Sequence, residues 1–370
     1  MITNKQVPGA LVGRNKEPLT DTHLLITITI CIFVIMYVMA MVIWGGGFLR
    51  PQQLFDIFNT NAYLIIISCG LTIVMVAGGI DISVGGITAL VVMSCIVQLN
   101  GVTGSVLSSV LLALGIGLGF GLVQGYLIAY LEIQPFIVTL AGMFFSKGMI
   151  TIVSSDPLTA ENAAFLALKN ARIEIPWLGY TAKNGNLIPG RLEIGVVIAL
   201  MVVVIVFIMM RWTKLGRNLY AVGGNRQSAL MLGINVKRTQ FLSYLICGIL
   251  SGISGFVFLT HSGAGNATNA TAAEMNAIAS SIIGGTLLTG GVGNVVGTLF
   301  GVLTLAIIKA IVLASGLRDP WWQSVTTGAM LSFFILLQSV VLANRGKGGF
   351  RTLFHKWFHS AGGLPNVASK

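Results

Sequence analysis

Long apolar runs separated by short polar segments fill the chain from residue 24 to residue 343. A helix that crosses a bilayer needs about 20 mostly apolar residues. By that ruler the runs predict helices at 24–45, 60–78, 84–99, 104–130, 135–153, 192–211, 239–260, 274–288, 293–315 and 324–343. The third and the eighth are short for a full crossing, and their glycine-rich flanks predict broken or partly re-entrant helices. The expected fold is an all-α polytopic membrane protein with about ten transmembrane helices. The tail through Thr22 is polar, and the first run is too long for a signal-peptide core and lacks a small-residue cleavage site. It is read as a retained first span.

The basic residues set an orientation. Lys5, Arg14 and Lys16 precede the first helix, and Arg345, Lys347, Arg351 and Lys356 follow the last. Arg211, Lys214, Arg217, Arg226, Lys237 and Arg238 lie between the sixth and seventh. An even number of crossings puts these three groups on one side, which the positive-inside bias names the cytoplasm. The chain divides into a cytoplasmic tail (1–23), a transmembrane domain (24–343) and a basic cytoplasmic tail (344–370). Within the domain, 212–238 is a cytoplasmic loop and 154–191 the largest external one. Pro157, Pro176, Asn184-Gly185-Asn186 and Pro189-Gly190 give that external loop turn signals. It is read equally as a docking surface for an external partner and as a plain connection. In the last tail, Phe350, Leu353, Trp357 and Phe358 interleave with Arg351 and Lys356, a mixture that favours the inner membrane surface.

Composition narrows the class. Hydrophobic residues make up 55% of the chain and charged ones 9%, with a mean hydropathy of +0.88. Soluble domains carry about a quarter charged residues, so this chain cannot coat itself against water and the lipid bilayer is its solvent. The net charge of +11 does not indicate nucleic acid, because the basic residues cluster in short segments between apolar runs, which fits the bias that sets membrane orientation. Cys31, Cys69, Cys95 and Cys247 fall inside apolar runs without CxxC spacing and read as small hydrophobes.

Two glycine-rich stretches resemble each other. Gly78-Gly79 and Gly284-Gly285 are each followed four residues on by Ser83 or Thr289, and two beyond that by Gly85 or Gly291. The halves 60–153 and 239–343 are therefore expected to be inverted repeats with a pathway at their interface, and the four paired glycines to mark helix breaks. Gly115, Gly119, Gly121, Gly125, Gly248 and Gly252, at four-residue steps, are expected to let helices pack closely.

Catalytic chemistry is missing from the sequence. There is no G-x-x-x-x-G-K-S/T phosphate loop, no HExxH, no His/Cys cluster at ligand spacing and no nucleophile–base pair. Asp81, Lys147 and Lys309 are the ionisable residues noted within the apolar region. Asp81 reads first as a carboxylate near the N-terminal end of the following half-helix, with Ser83 as N-cap, and second as part of a pathway or gate. Lys147 and Lys309 snorkel or pair. In the loop 212–238, Asn225 through Gly233 reads as a short helix with Asn225 as N-cap and Gly233 just past its end. Ala229, Leu230 and Leu232 give it an apolar side that it cannot bury alone.

Three motifs together resemble the ribose/galactose-type ABC permeases from the second helix to the end of the last: Gly78-Gly79-Ile-Asp81-Ile-Ser83-Val-Gly85, Leu215-Gly216-Arg-Asn-Leu-Tyr220-Ala-Val-Gly223-Gly224-Asn225, and Ala277-Ile278-Ala279-Ser-Ser-Ile-Ile-Gly284-Gly285-Thr286. Phe136-Ile-Val-Thr139-Leu-Ala-Gly-Met-Phe-Phe145 and Trp321-Trp322 look most like the galactofuranose-type subunit. The resemblance implies an importer subunit in a bacterial cytoplasmic (inner) membrane, carrying a monosaccharide and not itself an enzyme. It implies a second permease subunit, an ABC ATP-binding subunit that holds the ATP and Mg, and an extracytoplasmic sugar-binding protein; this chain itself would bind no cofactor. Asn225, Ser228, Ala229, Leu230, Leu232 and Gly233 would form the coupling helix to the ATPase. Gly78, Gly79, Asp81, Ser83, Gln134, Thr139, Asn276, Gly284 and Gly285 would mark the pathway or its helix breaks. Gln227, Asn276 and Gln124 depart from the residues common in that family. A permease for another small solute and an ion-coupled secondary transporter are the alternatives. The second is disfavoured because only Asp81 offers a buried carboxylate for coupling.

Overall fold

The protein, as a computed structural model, is described over residues 19–343 except 46–47, 103 and 182–186. The two tails read from the sequence, 1–18 of the first and all of 344–370, lie outside the described residues. In chain order the elements are α1 (Leu19–Trp44), α2 (Pro51–Val76), α3 (Val84–Asn100), α4 (Val106–Ala129), α5 (Pro135–Val153), β1 (Leu158–Thr159), α6 (Ala163–Asn170), β2 (Arg172–Thr181) and β3 (Leu187–Glu193). There follow α7 (Ile194–Trp212), α8 (Lys214–Gly224), α9 (Arg226–Met231), α10 (Val236–Ser262), β4 (Ala264–Gly265), α11 (Ala273–Ile283), α12 (Val295–Ala314) and α13 (Pro320–Ala343).

Each predicted apolar run coincides with a helix, because a backbone away from water must satisfy its polar groups internally. Proline at the first turn starts α2 and α5, where its missing N–H costs nothing. Seven of the described helices, namely α1, α2, α4, α5, α7, α10 and α12, are long and apolar enough to cross a membrane. α3, with 17 residues, and α11, with 11, are short, as expected of the third and eighth runs. The fold is all-α through the apolar runs, and among the described residues short strands occur only in the segments that connect them. Strand β2 pairs antiparallel with β3 as a hairpin, and β1 pairs antiparallel with β4.

α2 and α10 form the centre, with 78% and 67% of their apolar windows buried against 11% for α1 and 22% for α4. α4 lies on α10 through glycines. A methyl on Gly117 would strike the Gly248 carbonyl, one on Gly252 the Ala113 carbonyl, and one on Gly121 would come 2.9 Å from Leu245 Cα. The seam therefore runs through Ala113, Gly117, Gly121 and Gly125. Gly115 and Gly119, expected to pack, have nothing nearby.

The contacts define two ends. At one, Glu132 between α4 and α5 pairs with Arg226 and Lys237, and Tyr220 of α8 reaches Gly293 just before α12. At the other, Asn162 reaches Gly104, Asn100 reaches Thr159, and Asn59 near the start of α2 holds both Arg191 and Glu193 of β3.

The two glycine motifs meet at the first of these ends. α2 closes with Gly78 N–H on Met75 O and Gly79 N–H on Val74 O, and α11 with Gly285 N–H on Ile282 O and Thr286 N–H on Ser281 O. Both closures are Schellman motifs, with Gly78 at φ +84° and Gly285 at φ +91°. Gly78 thus corresponds to Gly285, one residue out of the register that pairs it with Gly284. Both turns end helices that stop at the same place, since Gly291 N–H donates to Val76 O at 2.9 Å. The motifs therefore relate two helices running the same way. They do not relate inverted halves, and the expected inverted repeat loses its sequence support.

Candidate functional site

The loop between α7 and α10 folds into two helices. Thr213 caps α8 by accepting from Gly216 N–H, and Asn225 caps α9 by accepting from Ser228 N–H at 2.8 Å. Gly233, at φ +75° in open space, ends the turn because a left-handed residue without a Cβ is unstrained there. The apolar side divides in two. Ala229 is buried against Val222 and Val236 of this same chain, so it is not free for a partner, contrary to its expected place on a docking face. Leu230, Met231 and Leu232 are exposed by 49%, 80% and 78%. The exposed trio is contiguous and outward, and Met231 belongs to it although the sequence reading passed over it.

A second group of polar side chains lies among the helices. Asp81 Oδ1 accepts from Ser83 N–H at 2.9 Å and from Ser83 Oγ at 2.6 Å, and Gln124 Nε2 bonds Ser83 Oγ at 3.0 Å. Ser83 occupies the N-cap position of α3 but its side chain makes no cap bond. The expected capping serine is corrected: the carboxylate two residues earlier holds it. Gly79 lies under the Tyr244 ring, whose hydroxyl donates to Ile80 O at 3.3 Å. Gly284 is pressed against Gly297 and Thr298. Gly79 and Gly284 are thus packing positions, while Gly78 and Gly285 carry the turns.

α11 begins deep in the bundle, and its first turn collects charge. Glu274 is 6% exposed; its Oε1 lies 3.9 Å from Lys147 Nζ, and its Oε2 is unpartnered. The carboxylate abuts Gly85 in the first turn of α3, so the N-terminal ends of two short helices meet at one negative side chain. That placement offsets both positive helix ends. Asn276 Oδ1 accepts from Lys309 Nζ at 2.9 Å, so both lysines pair. Ala270 and Ala272, immediately before α11, hold left-handed φ of +52° and +59°, a conformation that non-glycine residues adopt at some cost.

The residues expected to mark a pathway therefore fall into separate places. Asp81 and Ser83 sit together with Gln124, Asn276 sits with Lys309, and Gly78 and Gly285 turn the chain at the α8 end. Gln134 is exposed at the start of α5 and makes no cap bond. Thr139 is buried and donates its hydroxyl to Pro135 O at 2.9 Å. Neither joins the others. Glu274 escaped the sequence reading because it stands at the edge of an apolar run. Its signal was the acid in the first turn of a short helix with a lysine in an earlier span. Among the described residues no group of His, Cys, Asp and Glu has the arrangement of a metal site.

Residues 53–335 match the family model described as branched-chain amino acid transport system / permease component. The inner membrane ABC transporter permease protein YjfF of Escherichia coli is 36% identical over 85% of this chain and 92% of its own length. The fructose import permease protein FruG of Bifidobacterium longum is 33% identical over 86% and 91%. The ribose import permease protein RbsC of Bacillus subtilis is 34% identical over 80% and 87%. No solved structure matches. With its polytopic helical fold, three motifs and full-length relatives all in agreement, the chain belongs to this family of ABC-transporter permeases, in its ribose/galactose-type branch.

Proposed function

We propose that this chain is the membrane-spanning permease subunit of an ATP-driven importer that carries a monosaccharide across the bacterial cytoplasmic membrane. The observation that supports this most is the full-length similarity to permeases whose names specify fructose and ribose. Beside that similarity, the wording of the family description counts for less about substrate. The reading includes an ATP-binding subunit that holds ATP and Mg, a second permease subunit and an extracytoplasmic sugar-binding protein. On this reading Leu230, Met231 and Leu232 seat in the ATPase. Glu274, Asn276, Lys147 and Lys309 supply hydrogen-bonding groups along the route of a hydroxyl-rich solute, since ionised groups within a bundle face one another or water and avoid lipid.

The test is reconstitution of the complex in vesicles with uptake of labelled D-ribose, D-galactose, D-fructose and L-leucine. ATP-dependent uptake of a sugar is expected. Uptake of leucine alone would overturn the substrate class. A buried Leu contributes about 1.5–3 kcal/mol relative to exposure. The double variant Leu230→Asp, Leu232→Asp is therefore expected to weaken co-purification of the ATPase by about tenfold or more. Wild-type co-purification would mean that α9 is not the docking element.

A further inference from the structure

Three stretches of backbone converge where α8 meets the bundle. Gly223, in the last turn of α8, lies so close to the end of α2 that a methyl group there would overlap the Val76 carbonyl and come 2.6 Å from Gly291 N. Val76 O is the same atom that accepts from Gly291 N–H at 2.9 Å. Gly290, at φ +86°, brings its own Cα region against the Gly223 carbonyl and Gly78, at 2.9 Å for an added methyl in each case. One turn back on α8, Tyr220 Oη donates to Gly293 O at 2.8 Å. Burial pushes the Tyr220 hydroxyl up to about 12, with Arg211 opposing, so it remains a donor throughout the physiological range.

The consequence is mechanical. α8 touches the turn that links α2 to α3 and the turn that links α11 to α12. Those are the two turns leading into or out of the short helices, whose first turns meet at Glu274. Contacts between backbones have no side-chain rotamers to absorb a displacement, and close-packed interiors transmit strain.

We infer that Gly223 and Tyr220 form a joint through which displacement of α8–α9 moves both glycine turns, and with them α3 and α11, as one unit. They are positioning residues: they touch neither solute nor nucleotide. The inference rests on the proposed importer function and adds to it the route by which the cytoplasmic helices act on the interior.

Gly223 and Gly224 separate this idea from a general effect on α8. Both are in the same helix, yet a methyl on Gly224 meets open space. The assembled complex is reconstituted in vesicles, and ATP hydrolysis is measured together with uptake of whichever of D-ribose, D-galactose or D-fructose the wild type carries. Gly223→Ala is expected to retain co-purifying ATPase and basal hydrolysis while uptake per ATP falls by about tenfold or more, and Gly224→Ala to behave as wild type. Tyr220→Phe, which keeps the ring and loses the bond, is expected to lower uptake per ATP about fivefold. It serves as the decisive variant where Gly223→Ala fails to assemble. Wild-type uptake per ATP in Tyr220→Phe, or equal losses in Gly223→Ala and Gly224→Ala, would overturn the joint. A wild-type complex that carries none of the sugars, or binds no ATPase, would instead overturn the importer reading, so the two failures are distinct.

Discussion

Glu274 and Asp81 are both buried carboxylates, but their surroundings ask different things of them. Asp81 accepts from the Ser83 backbone N–H and hydroxyl through Oδ1 and helps fix the turn before α3. Glu274 keeps Oε2 without a protein hydrogen-bond partner, and a buried carboxylate oxygen is costly to leave unsatisfied. Glu274→Gln keeps the shape and removes the charge that faces two helix ends. On the pathway reading it is expected to lower sugar uptake by about tenfold, in line with the ~1.5–3 kcal/mol of a hydrogen bond to a charged group. Membrane levels should stay normal, and uptake against immunoblotted protein checks this. Unchanged uptake would leave Glu274 with packing alone. Asp81 was legible in the sequence because it breaks a glycine motif. Glu274 was not, and its partnership with Lys147 across 127 positions (274 − 147) depends on how α5 and α11 are placed.

At the scale of elements, length and polarity made the helices legible, and the packing surfaces much less so. The stretch Gly115-Ile-Gly-Leu-Gly-Phe-Gly121 places glycine at every second residue, so two helical faces look equally smooth. Only the approach of α10 selects Gly117 and Gly121 over Gly115 and Gly119. Gly117→Ala is therefore expected to lower the thermal midpoint of the purified protein by several degrees, because its methyl would strike the α10 backbone. Gly115→Ala, in open space, is expected to hold or raise it, by up to about 1 kcal/mol of helix propensity. Equal shifts would mean that α4 and α10 do not meet along this seam. The hairpin β2–β3 was hidden for another reason. Arg172-Ile-Glu-Ile alternates polar and apolar residues as a half-buried strand does, but the turn residues around it carried more weight. α9 was legible because Asn225 and Gly233 are chemical stop signs at both ends. Its docking side was drawn wrongly at Ala229 because a six-residue helix has no periodicity long enough to show which face packs inward.

For the molecule as a whole, sidedness links the fold to the proposed function. The end that carries α8 and α9 holds Arg211, Lys214, Arg217, Arg226, Lys237 and Arg238, with Glu132 paired to Arg226 and Lys237. The opposite end mixes Arg50, Lys169, Arg172, Arg191 and Arg318 with Asp56, Asp156, Glu161, Glu174, Glu193 and Asp319. Basic residues are retained on the cytoplasmic side during insertion, so α9 is expected inside, where an ATPase would meet it. The hairpin is expected outside, facing any sugar-binding protein. Two exposed positions test the assignment: Trp177 on the hairpin, 87% exposed, and Met231 at the end of α9, 80% exposed. In a Cys31→Ser background, which removes the exposed native thiol, each is changed singly to cysteine and treated with a membrane-impermeant maleimide. Trp177→Cys is expected to react in intact cells, and Met231→Cys only after permeabilisation. The reverse pattern would put α9 outside, beyond reach of any cytoplasmic ATPase, and the importer reading would fall with it.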